Sequence, residues 1–125
     1  MMRCLWFFLL IMTTGCSRVL SKDELVQSYQ FSLDNSRQEL RVKPDGKYVN
    51  VFYSQDKVVW SDQGDWTYDE SSGQKGITLN RFRFGFPEYS LSERGFWFVV
   101  PEKSFIGTTL LCFDLDLNRC FESNR

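Results

Sequence analysis

The sequence contains no histidine among its 125 residues. Histidine is the commonest side chain for acid-base catalysis and a frequent zinc ligand, because its pKa lies near neutral pH. A chain without histidine cannot form a Ser-His triad, a Cys-His dyad or a histidine-ligated metal centre. The commonest hydrolase and zinc sites are therefore excluded.

Net charge is also nearly absent. Fifteen lysine and arginine residues oppose sixteen aspartate and glutamate residues, which leaves a formal net charge of −1. Proteins that bind nucleic acid through its phosphates usually carry a basic surplus, so we expect no nucleic-acid partner. The length of 125 residues suits one domain with its own hydrophobic core.

Long apolar runs are scarce, and the one near the N-terminus is short. A positive region with Arg3 precedes an uncharged run from Leu5 to Met12, and small residues follow up to Gly15. A membrane-spanning helix needs about 20 apolar residues. The run is shorter than that, so the order of a positive region, an apolar run and small residues predicts an export signal. The alternatives are an ordinary secretory signal with an incidental cysteine after it, or a buried apolar segment of a cytosolic fold.

Cys16 lies where this apolar run ends. Thr14 and Gly15 directly before Cys16 resemble the lipobox of bacterial lipoproteins, in which the signal is cut before the cysteine and the thiol carries a lipid. The resemblance implies a signal peptide over residues 1–15 and a lipidated N-terminus and tether over residues 16–21. Ser17 is similar to the residue found in lipoproteins of the outer membrane, which implies anchoring there on the periplasmic side. The domain that follows would span residues 22–125.

Cys112 and Cys120 are the cysteines of the predicted domain. They flank FDLDLNR, which contains turn-forming residues, and their even spacing allows both to lie on one face of a two-stranded ribbon. Because exported proteins meet an oxidising compartment, we expect a disulfide between them. Closing so short a loop stabilises a fold by about 2.6 kcal/mol if only chain entropy counts. A pair of buried free thiols is the alternative.

Strand patterns dominate the rest of the chain. Leu40 and Val42 alternate with charged residues, and Pro-Asp-Gly over residues 44–46 predicts the turn of a hairpin. Apolar residues occupy odd positions up to residue 79 and even positions from residue 82. This change predicts a β-bulge near Asn80 or Arg81.

Further strands are shorter or less regular in pattern. We expect strands at residues 58–60 and 64–68, a polar loop over residues 69–76, and a strand covered on both faces at 95–100. A last hairpin is expected over residues 108–122.

These elements predict a mainly β fold: a single antiparallel β-meander of about eight strands that closes into a small barrel or sandwich. Ser21 followed by Glu24 predicts a capping box and a short N-terminal helix through about Ser28. The order LxVxxDGxY (residues 40–48), GDW (64–66) and ITL (77–79) resembles the lipocalin-like β-meander modules of small bacterial lipoproteins. That resemblance implies a β-meander architecture.

One segment predicts a binding surface. RFRFGF alternates arginine with phenylalanine, and more aromatic residues follow it. Arginine and aromatic residues dominate binding hot spots, so we expect a surface for a protein or glycan. Its residues would be Arg81, Arg83, Tyr89, Arg94, Phe96 and Trp97. The alternative is that the phenylalanines belong to the core and the arginines are merely solvated.

Acidic residues near the C-terminus suggest two further sites, a calcium-binding loop and a carboxylate pair for glycan cleavage. The surrounding residues favour neither. Asp114, Asp116 and Asn118 match the start of an EF-hand loop, but Arg119 and Arg125 replace its required glycine and acidic residue. We therefore expect no metal and no cofactor. Asp114 and Asp116 are also candidates for glycan cleavage, although carboxylates in turns are much more often solvated.

Taken with the signal, these patterns predict a non-catalytic binding or assembly module of the bacterial envelope. Its partners would be the membrane, through a lipid on Cys16, and an envelope protein or cell-wall glycan. Aromatic residues make up 17% of the chain and either fill the core or line a cavity. The alternative function is therefore a lipocalin-like carrier of a small apolar or lipid ligand. An enzyme is the third hypothesis.

Overall fold

The computed structural model describes residues 20–71, 73–89 and 95–124. Antiparallel strands dominate these residues, which confirms the mainly β class. Within the described ranges the strands are β1 (Ser28–Leu33), β2 (Ser36–Val42), β3 (Lys47–Ser54), β4 (Lys57–Ser71), β5 (Gln74–Phe82), β6 (Gly95–Val99), β7 (Glu102–Lys103), β8 (Thr109–Asp114) and β9 (Arg119–Ser123). The predicted signal peptide and the lipid site Cys16 lie outside the described residues.

The chain before β1 forms a single 3₁₀ turn, Asp23–Leu25, in place of the predicted helix. Half of the predicted capping box is present, because the amide of Ser21 donates to Glu24 Oε1 at 3.3 Å. The Ser21 hydroxyl also donates to Glu24 Oε1, at 3.1 Å, while the Glu24 amide bonds to the Ser21 carbonyl and not to its hydroxyl. The amide of Val42 then donates to the carbonyl of Gln27 at 3.0 Å. This bond draws the chain into the sheet, so the turn does not continue as a helix.

The hairpin of β2 and β3 is confirmed. Leu40 pairs with Asn50 and Val42 with Tyr48 on either side of the predicted turn. Leu40 and Val42 are buried while Arg41 between them is exposed, as strand alternation requires. The inner face of this hairpin contributes the centre of the core.

β4 is one strand of 15 residues where two short strands were expected. It pairs with β3 over residues 57–65 and with β5 over residues 66–71. Gly64 lies inside this strand, and a Cβ at that position would come within 2.4 Å of the Tyr48 ring. The glycine therefore permits a close approach of a ring and does not break the strand. The predicted polar loop over residues 69–76 is largely strand as well.

β5 contains the predicted β-bulge. Its pairing with β6 is regular at Leu79–Trp97 and resumes at Phe82–Gly95 after a register shift. Arg81, within the shifted part, has a φ of 59°. Because of this irregularity Leu79 and Phe82 are both buried despite their opposite parity.

The strands form a single sheet in the order β6-β5-β4-β3-β2-β1-β9-β8-β7. β1 to β6 form a meander, whereas β9 returns to the free side of β1. The edge strands β6 and β7 are consecutive in the chain, with only Val100 and Pro101 between them. Since three peptide units span roughly 10 Å, the two edges of the sheet must converge there. The sheet curls into a half-barrel. The expectation that both faces of β6 are covered is wrong, because Phe96 on its outer face is 74% exposed.

Aromatic side chains fill much of the inside. Phe82 contacts Trp97 and Phe84, with ring centroids 5.0 and 4.8 Å apart. Phe121 packs against the same cluster, 6.1 Å from Phe82. These rings serve as core, which is the first of the two roles expected for the aromatic residues.

The disulfide between Cys112 and Cys120 is confirmed. The two residues are direct cross-strand partners in β8 and β9. The bond therefore links the two strands of the last hairpin close to its turn.

The half-barrel has two ends. The proximal end holds the start of β1 and the β7–β8 turn (residues 104–108), because the Gln27 amide donates to Thr109 Oγ1 at 3.0 Å. Antiparallel pairing puts the other set of connections at the distal end. These are the β1–β2 turn (34–35), the β3–β4 turn (55–56), the chain after β5 (83–89) and the β8–β9 turn (115–118).

Leu20 fixes the start of the described chain to the proximal end. Its side chain is buried, and its carbonyl accepts a hydrogen bond from the Tyr68 hydroxyl at 2.7 Å. The folded part therefore includes residues that were expected to belong to the tether over residues 16–21.

Candidate binding site

The residues predicted to form a binding surface do not share one face. Phe96 is 74% exposed, whereas Trp97 is directed to the core and lies 5.9 Å from the Phe121 ring centroid. The alternation of side chains along β6 separates them. Arg94 lies outside the described residues. A substitution of Trp97 would therefore disturb packing, so it is a poor test of binding.

Arg81 and Arg83 are both exposed near the distal end. The Arg83 guanidinium lies over the ring of Trp60, 4.5 Å from its centroid. Such a cation–π contact at an exposed site is worth about 0.5–1 kcal/mol and fixes the orientation of the arginine. Arg83 is therefore held in place at the distal surface.

Residues 83–89, which we call the closing segment, turn inward after β5. The Phe86 ring lies between those of Phe31 and Phe52, with centroids 5.1 and 5.2 Å away. Phe84 contacts Phe113 at 5.4 Å. The closing segment thus supplies aromatic rings to the distal part of the core.

Two buried polar side chains hold the closing segment. Gln38 Nε2 donates to Asn50 Oδ1 at 2.7 Å and to the carbonyl of Arg83 at 2.8 Å, and Gln38 Oε1 accepts from the amide of Gly85 at 2.9 Å. Asn50 Nδ2 donates to the same Arg83 carbonyl at 2.9 Å. Both side chains are fully buried, so these bonds replace the hydrogen bonds that the polar groups would make with water in the unfolded chain.

Gly85 allows the closing segment to approach the sheet. A Cβ at this position would lie 2.2 Å from the ring of Phe52. No side chain fits there unless the ring or the backbone moves. The glycine in RFRFGF is therefore explained by packing.

A second set of contacts ties the end of the closing segment to the β8–β9 hairpin. The Tyr89 hydroxyl donates to Asp114, whose other oxygen accepts from the amide of Leu117 at 3.1 Å. Arg119 Nη1 donates to the Tyr89 hydroxyl at 3.0 Å and pairs with Glu88 at 2.8 Å. This network connects residues that are far apart in sequence.

The network also sets the charge of Asp114. The hydrogen bond from Tyr89, followed by that from the Leu117 amide, lowers the pKa of the Asp114 carboxyl, and the same bond to Asp114 raises the pKa of Tyr89. Asp114 is therefore ionised near neutral pH, whereas a general acid in glycan cleavage needs a raised pKa. The hydrogen bonds of Asp114 therefore give it a structural role.

A polar cleft of about 500 Å³, which we call the distal cleft, opens between the β1–β2 and β3–β4 turns. The Arg37 guanidinium lies 4.0 Å from the centroid of the Tyr53 ring and pairs with Glu39 and Asp56 at 3.3 and 2.9 Å. Amide and carboxylate groups surround this stack. The principal side chains at the cleft are Asp34, Asn35, Arg37, Tyr53, Gln55 and Asp56.

The binding surface expected from the sequence does not include this cleft. Its signal is the pair of short polar turns that follow β1 and β3, because alternate turns of a meander lie at the same end. Gln55 and Asp56 both have positive φ, 52° and 62°, as in the tight turns that join hairpin strands. Asp34 at the neighbouring turn has a φ of 55°.

Within the described part of the chain, no group of three or more acidic, cysteine or histidine residues is arranged to hold a metal ion. No helix in those same ranges is long and apolar enough to span a bilayer. Comparison with protein-family models, with curated proteins and with solved structures finds no match to this chain.

Proposed function

We propose that this protein is a non-catalytic binding module of the bacterial envelope, anchored through a lipid on Cys16 to the outer membrane and facing the periplasm. Its distal cleft binds a polar envelope partner, with a cell-wall glycan as the first candidate and an envelope protein as the second. The distal cleft is the observation on which the proposal depends.

The chemistry of the cleft supports a glycan. Guanidinium, carboxylate and amide groups donate to and accept from sugar hydroxyls, and together they supply both functions in fixed directions. Arg37 is held by its contacts with Tyr53 and Asp56, so little side-chain entropy is lost when it binds a ligand.

The position of the cleft supports the anchoring. Leu20 lies four residues after Cys16 and is packed at the proximal end. A lipid on Cys16 would therefore hold the proximal end of the half-barrel, which is opposite the distal cleft, at the membrane. The distal cleft would face the periplasm and the cell wall.

The anchor is tested by the mass of the N-terminal tryptic peptide from bacterial membranes. The proposal expects Cys16-Ser17-Arg18 with a diacylglyceryl group and a further acyl chain. A peptide that starts at Met1 without modification contradicts the envelope location.

Binding is tested with the full chain in detergent and purified peptidoglycan sacculi. Arg37→Ala should weaken sedimentation with sacculi by roughly tenfold, the loss typical of one binding hot spot. Arg41→Ala is the matched control, because Arg41 is an exposed arginine of the same strand outside the distal cleft. Equal binding by both variants contradicts a role for the cleft.

A third variant, Arg83→Ala, tests the arginine and aromatic surface predicted from the sequence separately from the cleft. If only this variant loses binding, the partner contacts the closing segment instead. Crosslinking of intact cells then distinguishes a protein partner from a glycan.

The described residues offer no observation that favours the carrier. A carrier needs open apolar space, whereas the inner rings of Phe82, Phe84 and Phe121 contact their neighbours.

A further inference from the structure

Phe105 and Ile106, which we call the apolar tip, occupy the turn between β7 and β8. Phe105 is fully exposed and Ile106 is 73% exposed. The turn is closed by backbone hydrogen bonds from Ser104 to Thr108 and from Gly107 to Ser104, at 2.8 and 3.0 Å. The two apolar side chains are therefore held outward by a formed turn.

The apolar tip lies at the same end of the half-barrel as Leu20. Thr109, the first residue of β8, accepts a hydrogen bond from Gln27 just before β1. Leu20 is fixed by burial and by its bond to Tyr68. Cys16 is four residues earlier, so the chain between them spans at most roughly 14 Å.

We infer that the apolar tip inserts into the lipid surface to which Cys16 is anchored, an inference that rests on the proposed lipid anchor. The short tether holds the proximal end at that surface, where an aromatic and an aliphatic side chain are more stable than in water. Lys103 Nζ donates to the Gly107 carbonyl and to Thr109 Oγ1 at 3.4 and 3.3 Å, so its charge would lie beside the turn, at the level of the headgroups. The half-barrel then stands on the membrane with the distal cleft turned away.

Exposure alone does not decide which end meets the lipid. Leu115 and Leu117, in the β8–β9 turn, are 78% and 57% exposed, but they lie at the distal end. The tether distinguishes the two ends, because it starts only at the proximal one. The distal leucines therefore provide a matched control.

The test uses the full chain, expressed in a bacterium and reconstituted into vesicles of phosphatidylethanolamine and phosphatidylglycerol. Ile106→Cys and Leu117→Cys each receive a polarity-sensitive nitrobenzoxadiazole label, while Cys112 and Cys120 remain in their disulfide. Nitroxide groups on the lipid acyl chains quench any label that enters the bilayer. The mass of the N-terminal peptide is measured on the same samples.

The inference expects a blue shift and strong quenching at position 106, with neither at position 117. If Cys16 carries lipid and the label at 106 stays in water, the inference is wrong and the proposed function stands. If both labels are quenched alike, the inference is wrong, and so is the proposed orientation in which the distal cleft faces the periplasm. If position 106 is shielded by a crosslinked protein and not by lipid, the inference is also wrong. If Cys16 carries no lipid, both the inference and the proposed anchor fail.

Discussion

Replacing Gln38 by leucine should loosen the closing segment and destabilise the whole domain. The substitution keeps a similar volume and removes only the polar end of the side chain. In the native structure that end bonds to Asn50, to the Arg83 carbonyl and to the Gly85 amide. The Arg83 carbonyl keeps its bond from Asn50 Nδ2. Asn50 Oδ1 and the Gly85 amide are therefore the groups that lose these bonds.

The magnitude follows from these two groups. A buried polar group without a partner costs about 1–3 kcal/mol. Two such groups cost about 2–6 kcal/mol, and the favourable burial of leucine offsets about 1 kcal/mol of that, so we expect the free energy of unfolding to fall by about 1–5 kcal/mol. Since 1 kcal/mol moves the Tm of a domain of about 100 residues by roughly 4–8 °C, the Tm should fall by at least about 4 °C.

Thermal and urea denaturation of the full chain in detergent measure this change, and hydrogen exchange of the Gly85 amide locates it. The matched control is Gln63→Leu, an exposed glutamine on β4 whose replacement should change stability by no more than about 0.5 kcal/mol. The reasoning is refuted if the two variants have the same Tm, or if the Gly85 amide keeps its protection in Gln38→Leu.

Three further results are expected. Gly85→Ala should destabilise the domain by about 1–3 kcal/mol because of the ring beside it, whereas Gly95→Ala, which meets open space, should be nearly neutral in denaturation. Joint replacement of Cys112 and Cys120 by serine should lower the free energy of unfolding by about 2.6 kcal/mol without changing the circular dichroism of the fold. Burial raises the pKa of Tyr29, opposed by a smaller effect of its hydrogen bond with Gln27, so the folded state keeps a proton that the unfolded state releases above about pH 10. Stability should fall as pH rises beyond that point, less steeply in Tyr29→Phe.

Each of these results has a contradicting outcome. Equal destabilisation by the two alanine variants would mean that the backbone, and not the ring contact, decides the effect. A serine variant as stable as the native protein would mean that the disulfide does not constrain the unfolded chain. Parallel stability curves for the native protein and Tyr29→Phe above pH 10 would show that another group loses the proton.

Local patterns in the sequence were sufficient for several elements. The β2–β3 hairpin follows from alternating residues around one turn, and the bulge at Arg81 follows from a parity change within one strand. The disulfide joins residues only eight apart. In each case the residues that interact, or that define the pattern, lie within a short window of the chain, so strand periodicity and turn chemistry decide the outcome.

Gly64 shows where a local pattern misleads. In sequence it marks the start of a new strand after polar residues, and in the structure it lies within β4. The cause is the Tyr48 ring on the neighbouring strand, which requires the space that a side chain would fill. A glycine selected by a distant neighbour looks the same in sequence as a glycine selected by a turn.

Local patterns specify the β class, the central hairpin, the bulge and the disulfide, because each depends on a period of two or on a short loop. The folded sheet is needed to show which strands form the edges, that Trp97 is directed inward and that Gln38 holds the closing segment. The bonds of Gln38 to residues 83 and 85 cross 45 and 47 positions of the chain. Such contacts, like those that create the distal cleft, depend on how the whole sheet curls, and no local period specifies that curvature.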